Sequence, residues 1–186
     1  MGRAGCAQVD EWERFEQAFR GCYRQVVRFL WRRLPPQAVE DAASEVFVIA
    51  WERWGTLRGD PLPWLYGIAR RVAANAVRAQ ERSARLEGRL RGSGVATVPG
   101  VDGQVLSALG AVDVLGHLSA RDREVLMLVT WDGLDAGQAA GVLGCSRGAF
   151  LVRLHRARRH LECALADPGD PVPERESESA DGSVGR

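Results

Sequence analysis

Apolar residues recur at helical spacing along almost the whole chain, and strand-like alternation is absent. Because residues three and four positions apart lie on one face of a helix, this spacing predicts amphipathic helices. Short apolar runs such as VFVIAW (46–51) lie inside longer helical patterns and do not change this interpretation. The chain is therefore predicted to be all-α. We expect helices at 10–33, 38–54, 62–86, 105–116, 120–131, 136–143 and 147–165.

The predicted helices form two groups separated by GRLRGSGVATVPGVDGQ, a glycine-rich stretch at 88–104. This composition is typical of a flexible linker. The sequence thus predicts two small helical domains joined by a flexible linker, and 186 residues are enough for both. The last residues, DPGDPVPERESESADGSVGR, have the composition of a disordered acidic tail. The predicted segments are an N-terminal domain at 8–87, a linker at 88–104, a C-terminal domain at 105–165 and a tail at 166–186.

The net charge of +1 hides an uneven distribution of charge along the chain. Residues 167–186 hold six acids and two arginines, whereas the rest holds 23 basic and 18 acidic residues. No segment resembles a secretion signal or a membrane span of about 18 apolar residues. The four cysteines have no metal-ligand spacing. We therefore expect a cytoplasmic protein with reduced thiols, no metal, no cofactor and no membrane partner. These cysteines are Cys6, Cys22, Cys145 and Cys163.

Local signals in the C-terminal group predict a helix-turn-helix unit. Ser119 precedes one apolar helical pattern, and Asp135 precedes a second, AGQAAGVL. Both residue types favour the position before a helix, where their side chains accept hydrogen bonds from free backbone N–H groups. Gly144 is expected to end the second helix, and Ser146 to begin a third. Two short helices joined by about three residues have helix-turn-helix spacing.

The third helix of this unit carries a concentration of positive charge. The stretch LGCSRGAFLVRLHRARRHL (143–161) holds five arginines between 146 and 160 and no acid there. On a helical wheel, one side carries Phe150, Leu154, Ala157 and Leu161, which predicts a buried stripe. On the opposite side, the residues at the start of the helix are small and those further along are cationic. This arrangement suits the DNA major groove. A solvated basic face on an ordinary packing helix is the alternative.

The N-terminal group contains an acidic stripe and an aromatic, arginine-rich junction. In EDAASEVFVIAWERW (40–54), the acidic residues share one side of a helix and apolar residues cover the other. In GTLRGDPLPWLYGIARRVAANAVRAQERSARL (55–86), aromatic residues and arginines meet where a loop enters a helix, and such groups can hold unpaired bases and phosphates. A solvated helix face explains the stripe equally well, and core packing explains Trp64 and Tyr66.

Two motifs resemble the extracytoplasmic-function (ECF) branch of bacterial RNA polymerase sigma factors. DAASEVFVIAW followed by DPLPWLYGIARR resembles the family's second conserved domain. LSARDREVLML…GQAAGVLGCSRGAFLVRLHRARRHL resembles its fourth. The resemblance covers about 10–87 and 105–163, and it implies that core RNA polymerase and promoter DNA are the partners. An anti-sigma factor is a further partner common in this family.

The resemblance also implies roles for individual residues. The acidic helix would bind core polymerase through Asp41, Glu45, Val48 and Glu52. The loop and helix after it would recognise and help melt the −10 element through Arg58, Asp60, Trp64, Arg70, Arg71, Asn75 and Arg78. The basic helix would read the −35 element through Arg147, Gly148, Val152, Arg153, His155, Arg156 and Arg159.

Three positions depart from the family pattern. Ser44 stands where a glutamine is usual in the polymerase-binding helix, and Arg71 stands where an asparagine is usual in the −10 helix. The common Gly-Thr-Val-Lys-Ser-Arg run reads Gly148-Ala-Phe-Leu-Val-Arg153, so a lysine and a serine that normally face DNA are replaced by Leu151 and Val152. The change alters the expected −35 preference and makes Val152 a candidate contact for a thymine methyl group.

The sequence carries no nucleophile–base pair, phosphate-binding glycine loop or metal cluster, so we do not expect an enzyme. The leading prediction is a promoter-specificity subunit of RNA polymerase. The main alternative is a free-standing helix-turn-helix regulator that acts without becoming a polymerase subunit. A third possibility, an all-helical enzyme in which the basic helix has no functional role, has no support in the sequence.

Overall fold

A computed structural model describes residues 3–91, 115 and 118–166, with side chains from residue 11 to 86, at 115 and from 118 to 166. Within these residues the chain is helical and contains no strand, in agreement with the predicted all-α class. None of the helices described there combines the length and apolar character needed to cross a bilayer. The helices are α1 (Arg3–Trp31), α2 (Pro36–Glu52), α3 (Pro61–Arg91), α4 (Ala120–Thr130), α5 (Ala136–Leu143) and α6 (Arg147–Ala166), with a short 3-10 turn at Trp54–Thr56.

Helices α1, α2 and α3 pack against one another and form the N-terminal module. Its core centres on Phe29, which is fully buried and stacks on the ring of Tyr66 at 4.6 Å between centroids. Burial raises the pKa of Tyr66 to about 12. Each fully buried large apolar side chain contributes about 1.5–3 kcal/mol to stability. Tyr66 is thus a core residue, which was the alternative to base stacking. The other fully buried large residues of this module are Val26, Leu30, Val39, Val46, Leu65 and Ile68.

The loop between α2 and α3 is shaped by its own polar groups. The Asp60 carboxylate accepts a hydrogen bond from the Leu62 N–H at 3.0 Å, which caps the start of α3. Arg58 donates to the carbonyls of Gly55 at 3.1 Å and Leu57 at 2.9 Å. Gly59 has φ +80°, a backbone conformation that side chains rarely adopt. The loop therefore enters α3 along a defined path.

Helices α4, α5 and α6 form the C-terminal module, and the predicted helix-turn-helix is confirmed. Ser119 Oγ accepts from the Asp122 N–H at 3.1 Å at the start of α4. Asp135 accepts from the Gln138 N–H at 2.9 Å, and the Gln138 side chain accepts from the Asp135 N–H. This arrangement is a capping box, and its backbone hydrogen bonds lower the pKa of Asp135. Gly144 ends α5 with φ +66°.

Several helix ends differ from their predicted positions. Helix α1 begins at Arg3, earlier than residue 10, and α3 continues to Arg91 rather than ending at 86. The extension of α3, in LEGRLR, lacks a clear apolar face but is rich in leucine and arginine, which are strong helix formers. Residues 88–91 of the predicted linker are thus helical. The remainder of the linker, the predicted helix at 105–116 apart from the helical Leu115, and the predicted tail after Ala166 lie outside the described residues.

The two modules lie against each other. Helix α5 of the C-terminal module packs on α3 of the N-terminal module, and the buried apolar residues of both modules form one continuous cluster. Charged side chains also join the modules: Arg32 and Arg33 pair with Asp132, and Arg70 pairs with Glu124. The described parts of the chain therefore adopt a closed arrangement of two modules, in which α3 faces α5.

Candidate polymerase and nucleic-acid interfaces

The predicted acidic stripe of α2 lies on its exposed side. Asp41, Glu45 and Glu52 are exposed, and Val48 among them has 59% of its surface exposed. The opposite side of α2 is buried in the core, so packing fixes which side faces outward. Three carboxylates around an apolar side chain form a surface that suits a partner carrying cationic and apolar groups. Ser44, at the position of the usual glutamine, is also exposed beside the stripe.

Aromatic rings at the junction of α1 and α2 widen this surface, and the sequence interpretation missed them. Trp51 is 40% exposed and lies three residues after Val48, so the two share a side of α2. Its ring meets Trp12 edge-on at 5.2 Å and Phe15 at 5.0 Å. Trp12 is 52% exposed. The available signal was the helical wheel, on which Trp51 falls outside the buried arc. The same junction holds Phe19, Tyr23 and Phe47.

The predicted −10 residues lie in the loop before α3 and along the first turns of α3. Trp64 is partly buried, and its ring meets Trp54 at 6.1 Å. Arg71 is exposed one position after Arg70. Arg78 donates to the Asn75 side chain at 2.6 Å, and both residues are exposed. Aromatic, amide and guanidinium groups are therefore arranged along one helix beginning at the loop of Arg58 and Asp60.

Arg70 differs from its neighbours because it already has a partner in the other module. Its Nε donates to the Glu124 carboxylate at 2.8 Å and its Nη2 at 3.2 Å. This hydrogen bonding raises the pKa of Arg70 above its usual value. The fork of two parallel hydrogen bonds is the geometry that arginine also uses with phosphate. Glu124 therefore occupies the bonding face of a residue that was predicted to contact DNA.

A cleft of roughly 670 Å³ lies between the modules at this place. One wall belongs to the predicted −10 region, and the other is formed by α5 and the turn after it. The predicted −10 region is therefore only partly open in the closed arrangement. The walls include Arg58, Asp60, Trp64, Gly67, Arg70 and Arg71 on one side and Gln138, Gly141, Val142 and Gly144 on the other.

The basic side of α6 is fully open. Phe150 and Ala157 are completely buried, and Leu154 retains 7% exposure, so they hold the helix in the module as predicted. Apart from the adjoining residues and backbone of α6 itself, no atom of the described residues lies within 4 Å of the position that a Cβ of Gly148 would occupy. Backbone at the start of α6 could thus come close to a groove floor. The predicted −35 residues Arg147, Gly148, Val152, Arg153, His155, Arg156 and Arg159 are all exposed.

Two family models match the chain, one for each module. The model described as Sigma-70 region 2 matches residues 18–83. The model described as Sigma-70, region 4 matches residues 111–161. The first match contains α2 and most of α3, and the second contains α4, α5 and most of α6.

Curated relatives of this chain are named RNA polymerase sigma factors, and the matches cover most of their length. The RNA polymerase sigma factor CnrH of Cupriavidus metallidurans is 32% identical over 148 residues, which cover 71% of this chain and 75% of that protein. The RNA polymerase sigma factor NccH of Alcaligenes xylosoxydans xylosoxydans is 28% identical over 144 residues, with 71% and 75% coverage.

A solved structure agrees with the fold. The sigma factor RpoE in complex with the anti-sigma factor NepR, from Bartonella quintana, superposes with a TM-score of 0.63 and 21% identity. The superposition covers 83% of this chain and 98% of that one. At this identity the likeness shows the shared fold. The matching region 2 and region 4 models and the curated relatives show that this chain belongs to the ECF family of RNA polymerase sigma factors.

Proposed function

We propose that this sigma factor binds core RNA polymerase through the acidic side of α2 and directs it to promoters that α3 and α6 recognise. This proposal rests on the observation that one chain has three exposed faces of different chemical composition. One face is acidic and apolar, one is aromatic and cationic, and one is cationic on a helix-turn-helix. Each fits a different partner: a protein surface, unpaired bases and duplex DNA.

The polymerase contact is assigned to Asp41, Glu45, Val48 and Glu52. Their exposure is set by the burial of the opposite side of α2, so the carboxylates are presented on a rigid helix. Complementary charge at a protein interface speeds association and fixes its register, while an apolar centre such as Val48 loses contact with water on binding. Trp51 extends the apolar part of the same contact.

The −35 contact is assigned to the exposed side of α6. A recognition helix enters the major groove with its first turns, where Gly148 and Val152 leave room for base edges. Arg156 and Arg159, further along, reach phosphates, which supply affinity but little sequence information. Val152 contributes an apolar contact of the kind that a thymine methyl group accepts.

The −10 contact is assigned to the loop of Arg58 and Asp60 and to the side of α3 that carries Trp64, Arg71 and Asn75. An aromatic ring beside guanidinium groups can stack on a base taken out of the duplex and hold its phosphate. Capturing such a base offsets the few kcal/mol that unstacking costs. Two modest DNA contacts suffice because both are tethered to one polymerase.

The same proposal assigns no reaction to this chain, since phosphodiester synthesis belongs to the polymerase. It also places the protein in the cytoplasm, where chromosomal DNA is transcribed. An anti-sigma factor is proposed as an additional partner, in line with the complex in which RpoE was solved.

Run-off transcription with purified core polymerase tests the proposed function. We expect that adding the full chain produces transcripts with defined starts from genomic promoter fragments, including the fragment upstream of its own gene. Core polymerase alone and the chain alone are the controls. The alternative, a free-standing regulator, predicts specific binding to these fragments without polymerase and no new start sites. Transcripts that are identical with and without the chain would contradict the proposal.

Removing two guanidinium groups from the basic side of α6 tests the duplex contact. Replacing Arg156 and Arg159 by Ala is expected to weaken binding to a 30-base-pair duplex about tenfold and to reduce the salt slope by about 2, because each lost phosphate contact lowers it by about 1. Fluorescence anisotropy at several salt concentrations measures both. The matched control replaces Arg82 and Arg85, exposed on α3, by Ala. An unchanged slope in the α6 variant would remove these residues from the phosphate contact.

A further inference from the structure

The arginines of α6 form an exposed cationic surface that is not paired within the described part of the chain. Arg153, Arg156 and Arg159 follow one another at three-residue spacing, so neighbouring guanidinium groups of this arginine strip lie about one helical turn apart. None of the ion pairs among the described residues involves an arginine of α6, whereas arginines of the other module are paired. Helix α6 contains five arginines and one acid, Glu162, which gives it a net charge of +4.

The segment that follows α6 in the sequence has the opposite charge. Residues 167–186 carry six acids and two arginines, a net charge of −4. Glu174, Glu176 and Glu178 alternate there with other residue types. In an extended chain alternate residues lie on the same side, about 6.5 Å apart. The sequence of this segment therefore encodes an acidic row, made of these three glutamates.

Electrostatics at the end of α6 direct these acids away from that end and toward the arginine strip. The last turn of α6 contains no basic residue. The final carbonyl groups of a helix carry a partial negative charge, and Glu162 adds a full one nearby. The sequence DPGDP, which begins at residue 167, is typical of turns. A chain that reverses its direction there brings its acids back along α6.

The chain is long enough for this contact. From Ala166 back to Arg153 the helix rises about 20 Å over thirteen residues. From Ala166 to Glu176 a flexible chain of ten residues has an average end-to-end distance of about 16–19 Å and a maximum of about 35 Å. The acidic row spans about 13 Å when extended, and the arginine strip about 9 Å along the helix axis. Long arginine side chains can bridge that difference.

From the charges and these distances we infer that the acidic row docks on the arginine strip of α6 and competes there with DNA phosphates. The competition, but not the docking, rests on the proposed −35 contact of α6. Both the acidic row and a DNA strand are rows of negative charge, so one excludes the other from the same guanidinium groups. The segment of the same chain is the favoured occupant because its tether gives it an effective concentration in the millimolar range.

The expected effect on DNA affinity follows from that concentration. Exposed ion pairs are individually weak, so the acidic row as a separate peptide should bind the strip with a dissociation constant of about 1 mM. An effective concentration of about 5 mM then leaves about one sixth of the strips unoccupied and weakens DNA binding about sixfold. On core polymerase the tethered promoter duplex reaches a higher effective concentration and displaces the row. Docking therefore keeps the chain off DNA before it joins the polymerase.

Removing the charge of the acidic row in the full chain tests the inference. The row variant carries Glu174→Gln, Glu176→Gln and Glu178→Gln. We expect it to bind a labelled 30-base-pair mixed-sequence duplex about fivefold more tightly than the wild type at about 50 mM salt. The difference should shrink below about twofold at about 300 mM salt, because salt screens the docking. Fluorescence anisotropy measures both affinities.

A matched control separates docking from a change in net charge. Glu11→Gln, Glu13→Gln and Glu40→Gln remove the same charge by the same substitution from exposed positions of the N-terminal module. We expect this control variant to bind the duplex within about twofold of the wild type, since these charges lie on the other module. An equal gain in affinity in the row variant and the control variant would overturn the docking.

A second measurement detects the docking without DNA. In ¹⁵N-resolved NMR spectra at about 50 mM salt, the Nε–H resonances of Arg153, Arg156 and Arg159 should differ between wild type and row variant. Those of Arg82 and Arg85, exposed on α3, should not. The differences should be the same at low and high protein concentration. A dependence on concentration would assign the contact to a second copy of the chain and overturn the inference.

The two measurements together distinguish failure of the docking from failure of the proposed function. Unchanged resonances of the arginine strip, in a chain that still binds duplex DNA through α6, would overturn the docking and leave the −35 contact standing. Shifted resonances, in a chain whose duplex binding is insensitive to loss of Arg156 and Arg159, would support the docking and overturn the −35 contact instead.

Discussion

Reversing the charge of Asp41 and Glu45 together, by replacement with Arg, is expected to abolish co-elution of the chain with core RNA polymerase. Both side chains are exposed on the side of α2 opposite the core, so the fold should survive the change. Like charges placed against each other in an interface cost several kcal/mol, and two reversals should weaken binding by about 100-fold or more. Size-exclusion chromatography detects the loss, and anisotropy of a labelled chain measures it.

A matched control separates the surface position from net charge. Glu13 and Glu40 are exposed on α1 and α2 but lie outside the acidic stripe, and reversing both changes the net charge by the same amount. We expect this variant to retain polymerase binding within about threefold, as is typical of charges at or beyond the rim of an interface. If the stripe variant still co-elutes like the wild type, α2 does not form the polymerase contact.

Replacing Phe150 by Ala is expected to unfold the C-terminal module selectively. The ring is completely buried and is among the largest side chains at that level of burial. Removing a buried Phe ring costs about 3–5 kcal/mol, a large share of the stability of a three-helix unit. Hydrogen exchange should then show lost protection in α4, α5 and α6, whereas α1 and α2 should remain protected. Duplex DNA binding should fall with the fold of this module.

Two further variants calibrate this prediction. Val152→Ala shortens a side chain that is 53% exposed on the same helix, and we expect a change of less than about 0.5 kcal/mol in the free energy of unfolding. Phe150→Leu keeps most of the apolar volume and should cost clearly less than Phe150→Ala. Urea denaturation followed by circular dichroism measures all three. A Phe150→Ala protein as stable as Val152→Ala would contradict the assigned core role.

Features with local causes were predictable from the sequence. Ser119, Asp135 and Ser146 cap helices by accepting hydrogen bonds from N–H groups two or three residues away, so the residue type and its position contain the whole interaction. The exposed side of α2 and that of α6 were equally predictable, because helical periodicity and the hydrophobic effect together decide which side is buried. The C-terminal end of α3 could not be predicted from the sequence, since helix ends in charged segments lack an apolar pattern.

The sequence by itself therefore determined the helices, their caps, and the acidic and basic faces that mark this chain as a sigma factor. Only the tertiary structure decided which charges are paired. Arg70 and Glu124 are separated by 54 residues, and Arg32 and Asp132 by 100. On a helical wheel Arg70 resembles its exposed neighbour Arg71, because a wheel contains no information about a distant helix. Partner choice over such separations depends on how complete modules pack, and this packing turns a predicted DNA contact into part of a closed interface.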